Sequence, residues 1–296
     1  MEFNYTVTTP NLYNTVRDVL KNYFLVSSRL LLKLKNNNCV FLNNKKCSIN
    51  STISLGDIIS FSLDYDEDNS NIVATNIPLN IVYEDDCLLI INKQPNIAIH
   101  PSMLHYDNSL SNGVKFYFDS IGLKKKIRPV NRLDRNTSGL VIFAKNEYVQ
   151  EFLIKQMQNN TFSKEYLAIL EGTLDNKYGT INAPIARKKD SIIERCVDEN
   201  GDTSITHYKV IKEFNNLSLV NFKLETGRTH QIRVHSSYIG HPILGDDLYG
   251  NKSDIINRQA LHSYKISFTH SKTRKKMCFE IDLPKDMLSI LNNELI

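Results

Sequence analysis

The stretch Arg128-Pro-Val-Asn-Arg-Leu-Asp-Arg-Asn-Thr-Ser-Gly-Leu-Val-Ile-Phe-Ala-Lys145 sets three arginines around one carboxylate, Asp134, and then runs into an apolar segment. Pro129 pushes Arg128 toward extended geometry, and the run from Leu140 to Ala144 reads as a buried strand. A turn at Asn136 to Gly139 is therefore expected to join two extended pieces. In extended backbone alternate side chains share a face, so Arg132 and Asp134 fall together and Leu133 falls opposite. A cation and an anion are presented side by side at the lip of a sheet. On the residues alone, Asp134 either carries chemistry or caps the Asn-Thr-Ser-Gly turn against a neighbouring arginine.

A second informative stretch runs from Gly227-Arg-Thr-His-Gln-Ile-Arg233 to Gly245-Asp246. Gly227 permits a sharp turn, and Thr229 is expected to cap a helix reaching Tyr238. The start of such a helix attracts a carboxylate or phosphate, with Arg228 just outside it and Arg233 within. His230, His235 and His241 lack the four-residue step that sets two imidazoles on one helical face, and no cysteine is near. Capping and core hydrogen bonds explain them better than a metal.

A chain of 296 residues, 41% hydrophobic, can bury a sizeable core and is long enough for one large domain and one small one. No segment approaches the roughly 20 continuous apolar residues of a membrane span, and the start has no basic region followed by an apolar core. A soluble, cytoplasmic protein is expected. Cys39, Cys47, Cys87, Cys196 and Cys278 are scattered, suggesting neither a zinc knuckle nor a disulfide framework. The net charge is +4, yet residues 65 to 86 hold six acids and no lysine or arginine, so both flanking blocks are basic. That distribution suits a polyanionic partner.

Helical spacing predicts two short helices, Thr15 to Phe24 and Ser27 or Ser28 to Lys35. The second turns Leu30, Leu31 and Leu34 to a core and Arg29 and Lys33 to another face. A strand and turn follow over Cys39 to Lys46, then a strand in Ser54 to Phe61. Residues 65 to 80 read as an acidic linker between blocks that can each bury a core. Beyond it come a hairpin at Ile81 to Lys93, a turn at Ile97 to Ser102, a helix capped by Asn146, and a strand from Lys164. Antiparallel strands follow at Ile192 to Val197, Thr203 to Phe214 and Leu217 to Leu224, with a last hairpin over Tyr264 to Leu283.

Arg132-Leu-Asp134 with a short spacer before Thr137-Ser-Gly-Leu resembles the signature of the RluA-type pseudouridine synthases. Gly227-Arg-Thr-His-Gln-Ile-Arg233 closely resembles that family's later motif, and the likeness spans residues 81 to about 290. It implies an α+β fold, a mainly antiparallel mixed sheet with flanking helices over 81–296. By the same resemblance Asp134 is the catalytic carboxylate and Arg233 its partner. Tyr166 stacks on the target base, Leu261 is an apolar wall, and Arg132 helps displace the nucleotide. Asn96 stands where many relatives have glycine. Asn131 replaces the usual histidine and is expected to alter how RNA is held. Residues 13–64 resemble the small alpha-L RNA-binding module in their Ser-Arg helix, Val-x-Leu-Asn hairpin and late Gly-Asp, with 65–80 as linker.

The activity implied is isomerisation of uridine in RNA: an N-glycosidic bond breaks, the uracil turns, and a carbon link forms. Nothing is oxidised or lost, so no cofactor or metal is required. One carboxylate must attack the anomeric carbon or remove a ribose proton. The expected partner is RNA, ribosomal RNA before tRNA because of the alpha-L module, with no membrane and no obligatory protein partner. The alternatives are the same chemistry on tRNA, a nucleoside or glycoside hydrolase, which would normally show two carboxylates, and a ribosome-associated RNA-binding factor without catalysis.

Overall fold

The computed structural model of the protein describes residues 1–103 and 105–292. It begins with an element the sequence reading passed over, β1 (Glu2–Thr6), in which Phe3 is the buried residue. Thr15 and Asp18 form a reciprocal cap for α1 (Val16–Asp18), which continues as a wider turn over Val19–Tyr23. The Ser27 hydroxyl accepts from Leu30 N–H at 3.2 Å and starts α2 (Ser28–Asn36). A hairpin follows, β2 (Val40–Leu42) and β3 (Lys45–Lys46), turned by Asn43 and Asn44 at φ 49° and 62°. β4 (Ile58–Ser62) then completes a four-stranded sheet in the order β1-β4-β2-β3.

Residues 65 to 80 form no helix or strand, but they are fastened to the main body. Glu67 makes a two-pronged ion pair with Arg128, 2.5 and 2.7 Å, with both side chains nearly enclosed. Asn69 donates to Lys125 O, and the Tyr65 hydroxyl to Glu147. Composition reads these residues as a linker, but Arg128, 61 residues away, gives Glu67 a partner that local sequence cannot show.

The main sheet holds nine strands among the described residues. Its first members are β5 (Ile81–Glu84), β6 (Leu88–Lys93) and β7 (Ser138–Ala144). Then come β8 (Ser163–Glu171) and β9 (Tyr178–Asn182), a separate hairpin of β10 (Ile185–Arg187) with β11 (Arg195–Val197), and β12 (Ile205–Phe214). β13 (Leu217–Leu224), β14 (Leu261–Thr269) and β15 (Lys276–Glu280) complete it. The order is β5-β6-β7-β14-β8-β13-β12-β9, with β15 also on β14, and every pairing is antiparallel except β7 with β14. The architecture is therefore the expected α+β. Ile192 and Ile193 are not strand residues: they stand exposed between β10 and β11.

β6 and β7 carry unbroken apolar runs because both faces are covered. Leu88, Ile90, Leu140 and Ile142 point into one cluster, and Leu89, Ile91, Val141 and Phe143 into the other. The second is closed by α3 (Leu110–Ser120), α5 (Gln231–Tyr238) and α6 (Lys285–Asn292), of which α3 and α6 were not anticipated. The first is closed by α4 (Glu147–Gln158), capped as expected by Asn146, and by the N-terminal unit itself. Phe3 and Phe61 lie 4.6 and 5.1 Å from the Tyr148 ring of α4. The two blocks thus share one apolar cluster rather than burying separate cores, because the outer face of α4 is itself apolar.

Candidate active site

The turn carrying Asp134 is tighter and earlier than expected. Thr137 N–H donates to Asp134 O at 3.1 Å, so β7 already begins at Ser138. Gly139 uses its φ of 117° inside the strand, where a Cβ would meet the Ser263 backbone 2.2 Å away. Its role is close approach of β14, not the turn. Three groups grip the loop from behind: Lys93 Nζ donates to Arg135 O at 2.9 Å, Arg258 to Asn136 O at 3.2 Å, and Gln259 to the Thr137 hydroxyl at 3.2 Å. Lys93 also donates to Gln94 O and Ile97 O, spending its three protons on carbonyls. Burial, with Arg258 nearby, pulls its pKa down to about 7. Asn96 holds positive φ, 65°, as the expected tight turn beside it requires. Asn131 spends its amide on β7, donating to Leu140 O and accepting from Ile142 N–H, both at 2.9 Å.

Arg132, Asp134 and Tyr166 line one cavity of about 520 Å3 at the strand ends. A recess of about 70 Å3 beside it is lined by the same three residues together with Arg233 and Leu261. All five residues singled out from sequence therefore converge. Tyr166 comes from β8 and Leu261 from β14, neighbouring strands that pair around Tyr166 and Ser263. Burial raises the Tyr166 pKa, so this residue is a neutral phenol at physiological pH. Arg132 is exposed at the mouth, while Leu133 turns inward as alternation required.

Asp134 and Arg233 meet, but not as an exclusive pair. Arg233 Nη1 lies 3.2 Å from Asp134 Oδ2, while its Nε and Nη2 both bond Asp246 at 2.7 Å. Asp246 is fully buried, and its Oδ1 also accepts from the backbone of Leu248 and Tyr249. The guanidinium lies 4.9 Å over the Tyr249 ring. One cation is thus shared by an enclosed carboxylate that fixes it and an accessible one it stabilises. Asp246 had no role in the sequence reading. Its only signal was Gly245, whose φ of 73° bends the chain under the arginine.

Thr229 does not cap α5. His230 takes that position with φ 59°, and the Gln231 side chain accepts from Arg228 N–H at 2.9 Å in place of a threonine cap. His235 bonds the Thr206 hydroxyl and Ala183 O, and His241 bonds Glu171 O. His230 alone of the three reaches the cavity, with Nε2 3.8 Å from Asp134 Oδ2. Lys164, also on the cavity wall, has its pKa lowered by burial. Elsewhere Asp85, Cys87 and His270 lie together, but His270 Nε2 faces Asp85 at 3.0 Å and Nδ1 accepts from Thr273 N–H. Among the described residues no helix is long and apolar enough to cross a membrane.

Known proteins resemble this chain in sequence and in fold. The family described as RNA pseudouridylate synthase matches residues 87–238. YjbO of Bacillus subtilis, an uncharacterised RNA pseudouridine synthase, is 37% identical over 270 residues, covering 91% of this chain and 95% of the relative. The ribosomal large subunit pseudouridine synthase D of Haemophilus influenzae is 35% identical over 240 residues, 76% of this chain and 74% of that one. Among solved structures, human RNA Pseudouridylate Synthase Domain Containing 1 has the same fold, with a TM-score of 0.59 at 24% identity over 75% of this chain and 96% of that one. The chain belongs to the RNA pseudouridylate synthase family, isomerases that convert uridine to pseudouridine.

Proposed function

We propose that this protein isomerises uridines of ribosomal RNA, with Asp134 as the reacting carboxylate. The observation that carries this reading is Asp134 itself, accessible in a cavity, held by one shared guanidinium and faced by a buried phenol. The recess between Tyr166 and Leu261 offers an apolar slot to a flat base. Asp134 attacks C1′ or removes a ribose proton, and the N1–C1′ bond breaks. The uracil turns in place, C5 bonds to C1′, and the C5 proton leaves as N1 gains one. Arg132 at the mouth suits a phosphate or the displaced nucleotide. Ribosomal RNA is preferred because several relatives are named for the large ribosomal subunit. Residues 13–64 are read as an alpha-L RNA-binding module that adds phosphate contacts.

The test is Asp134→Asn, which keeps size and most hydrogen bonding but removes the charge either route needs. Turnover should vanish. RNA should still bind, because affinity comes largely from phosphate contacts. Melting should stay near wild type, since Arg233 retains both bonds to Asp246. A folded Asp134→Asn protein that forms pseudouridine at the normal rate would refute the assignment.

A further inference from the structure

The Tyr249 hydroxyl makes two hydrogen bonds beside the site. The backbone N–H of Arg195 donates to its hydroxyl oxygen at 2.8 Å, and an amide N–H can only donate. With its oxygen already accepting, the hydroxyl is free to donate to His230 Nδ1, 2.7 Å away. With Nδ1 as the acceptor, a neutral imidazole keeps its proton on Nε2. Burial holds His230 below its ordinary pKa, with Arg233 and Arg195 opposing the pull of Asp134 and Asp246, so the ring is neutral at pH 7. Nε2 is the nitrogen that faces Asp134 Oδ2, at 3.8 Å, and Arg233 Nη1 approaches the same oxygen at 3.2 Å. The other oxygen, Oδ1, accepts no hydrogen bond from the described residues.

The placement is over-determined. His230 holds left-handed backbone just before α5, a strained state for a residue with a side chain. Its ring packs edge-on against Tyr249 at 5.6 Å and 72°. Backbone strain and a dedicated tyrosine both serve to aim one N–H at one carboxylate oxygen.

We propose that His230 is a positioning residue for Asp134: its Nε2–H, set by Tyr249, closes on Oδ2 when RNA binds, so that Oδ1 is the oxygen presented to the ribose. Contacts of this kind commonly tighten only with substrate in place. The inference rests on Asp134 being the carboxylate that reacts.

The experiment uses the full-length protein and ribosomal RNA from cells lacking it, labelled with tritium at uridine C5. Isomerisation replaces C5–H with the C5–C1′ bond and releases tritium to water. Release by the wild type, absent in Asp134→Asn, establishes the reaction independently of His230. His230→Asn tolerates left-handed backbone but falls short of Asp134. Its single-turnover rate at saturating protein should drop about tenfold or more, with RNA affinity and melting unchanged. His230→Gln, which restores an N–H at the right reach, should recover most of that rate, and Tyr249→Phe should lose a smaller part. A wild-type rate in His230→Asn, or no recovery in His230→Gln, would overturn the proposal. Nitrogen-15 NMR of histidine-labelled protein gives a readout without turnover. His230 should be protonated on Nε2, and protonation on Nδ1 instead would overturn the proposal whatever the rates.

Discussion

On one face of the main sheet, Phe3, Phe61 and Tyr148 meet ring to ring at 4.6 and 5.1 Å with no exposed area to spare. At the strand ends around Asp134, the enclosed groups are instead Arg233, Asp246, Lys93 and His262. The first region gains from every apolar atom it removes from water. The second pays desolvation on each charge and recovers it through aimed hydrogen bonds. The lesson is a separation of tasks: the N-terminal unit stabilises the sheet that the polar end needs held rigid. Substitutions on the aromatic face should move stability and leave chemistry intact, and those at the polar end the reverse.

The largest effect expected from this contrast is on folding. Phe61 is fully buried, and Phe61→Ala should cost about 3 to 5 kcal/mol. Removing residues 1–64 strips the cover from Tyr148, Phe152 and Leu88 together, so residues 65–296 alone should not melt cooperatively. The Phe61→Ala protein, assayed below its melting point, should keep wild-type turnover per folded molecule. A truncated chain with wild-type melting would break the comparison and restore two independent cores.

The polar end should titrate where the aromatic face does not. His262 bonds the Ser138 hydroxyl through Nδ1 at 2.9 Å, and burial, with Arg258 beside it, pushes its pKa down to about 4. The unfolded chain takes up a proton near pH 6.5 while the folded one does not, so stability is lost as pH falls from about 6.5 toward 4. The full loss from this group is about 3 kcal/mol. His230 and His235, also lowered by burial, act in the same direction. Denaturant melts between pH 7 and pH 5 should show the loss, and His262→Gln should flatten it. A flat wild-type profile would mean that His262 is buried with its charge.

How much of this was legible in the sequence follows the same division. The strands at Leu88 and Leu140 and the Asn146 cap rest on local pattern and are present, whereas Tyr166 and Leu261, which line the recess with Asp134 and Arg233, read on their own as core residues and were singled out only through the family resemblance. Asp246 was not legible, because a carboxylate that fixes an arginine through a turn thirteen residues on leaves no periodic trace. Lys93 was hidden for a related reason: a lysine ending an apolar run looks like a strand end, whereas three carbonyls from two loops make it an anchor. The shared core was hidden because an acidic stretch such as 65 to 80 reads as a linker until Glu67 finds Arg128.

The smallest expected effect separates two residues that the sequence placed on one helical face. Arg29 is exposed on α2, but Lys33 is committed within the chain, 2.9 Å from Glu147 and 4.4 Å over the Tyr65 ring. If the N-terminal unit contacts RNA through α2, Arg29→Ala removes one phosphate contact and should lower the slope of log affinity against log salt by about 0.7 to 0.9. Lys33→Ala should leave that slope alone, since its ammonium is already neutralised by Glu147, and should cost instead the few tenths of a kcal/mol typical of a partly exposed ion pair. Filter binding of ribosomal RNA across a salt series measures the first, and denaturant melts the second. The reverse result, a slope change from Lys33→Ala and none from Arg29→Ala, would mean that Glu147 releases the lysine to RNA and that the N-terminal unit does more than cover the sheet.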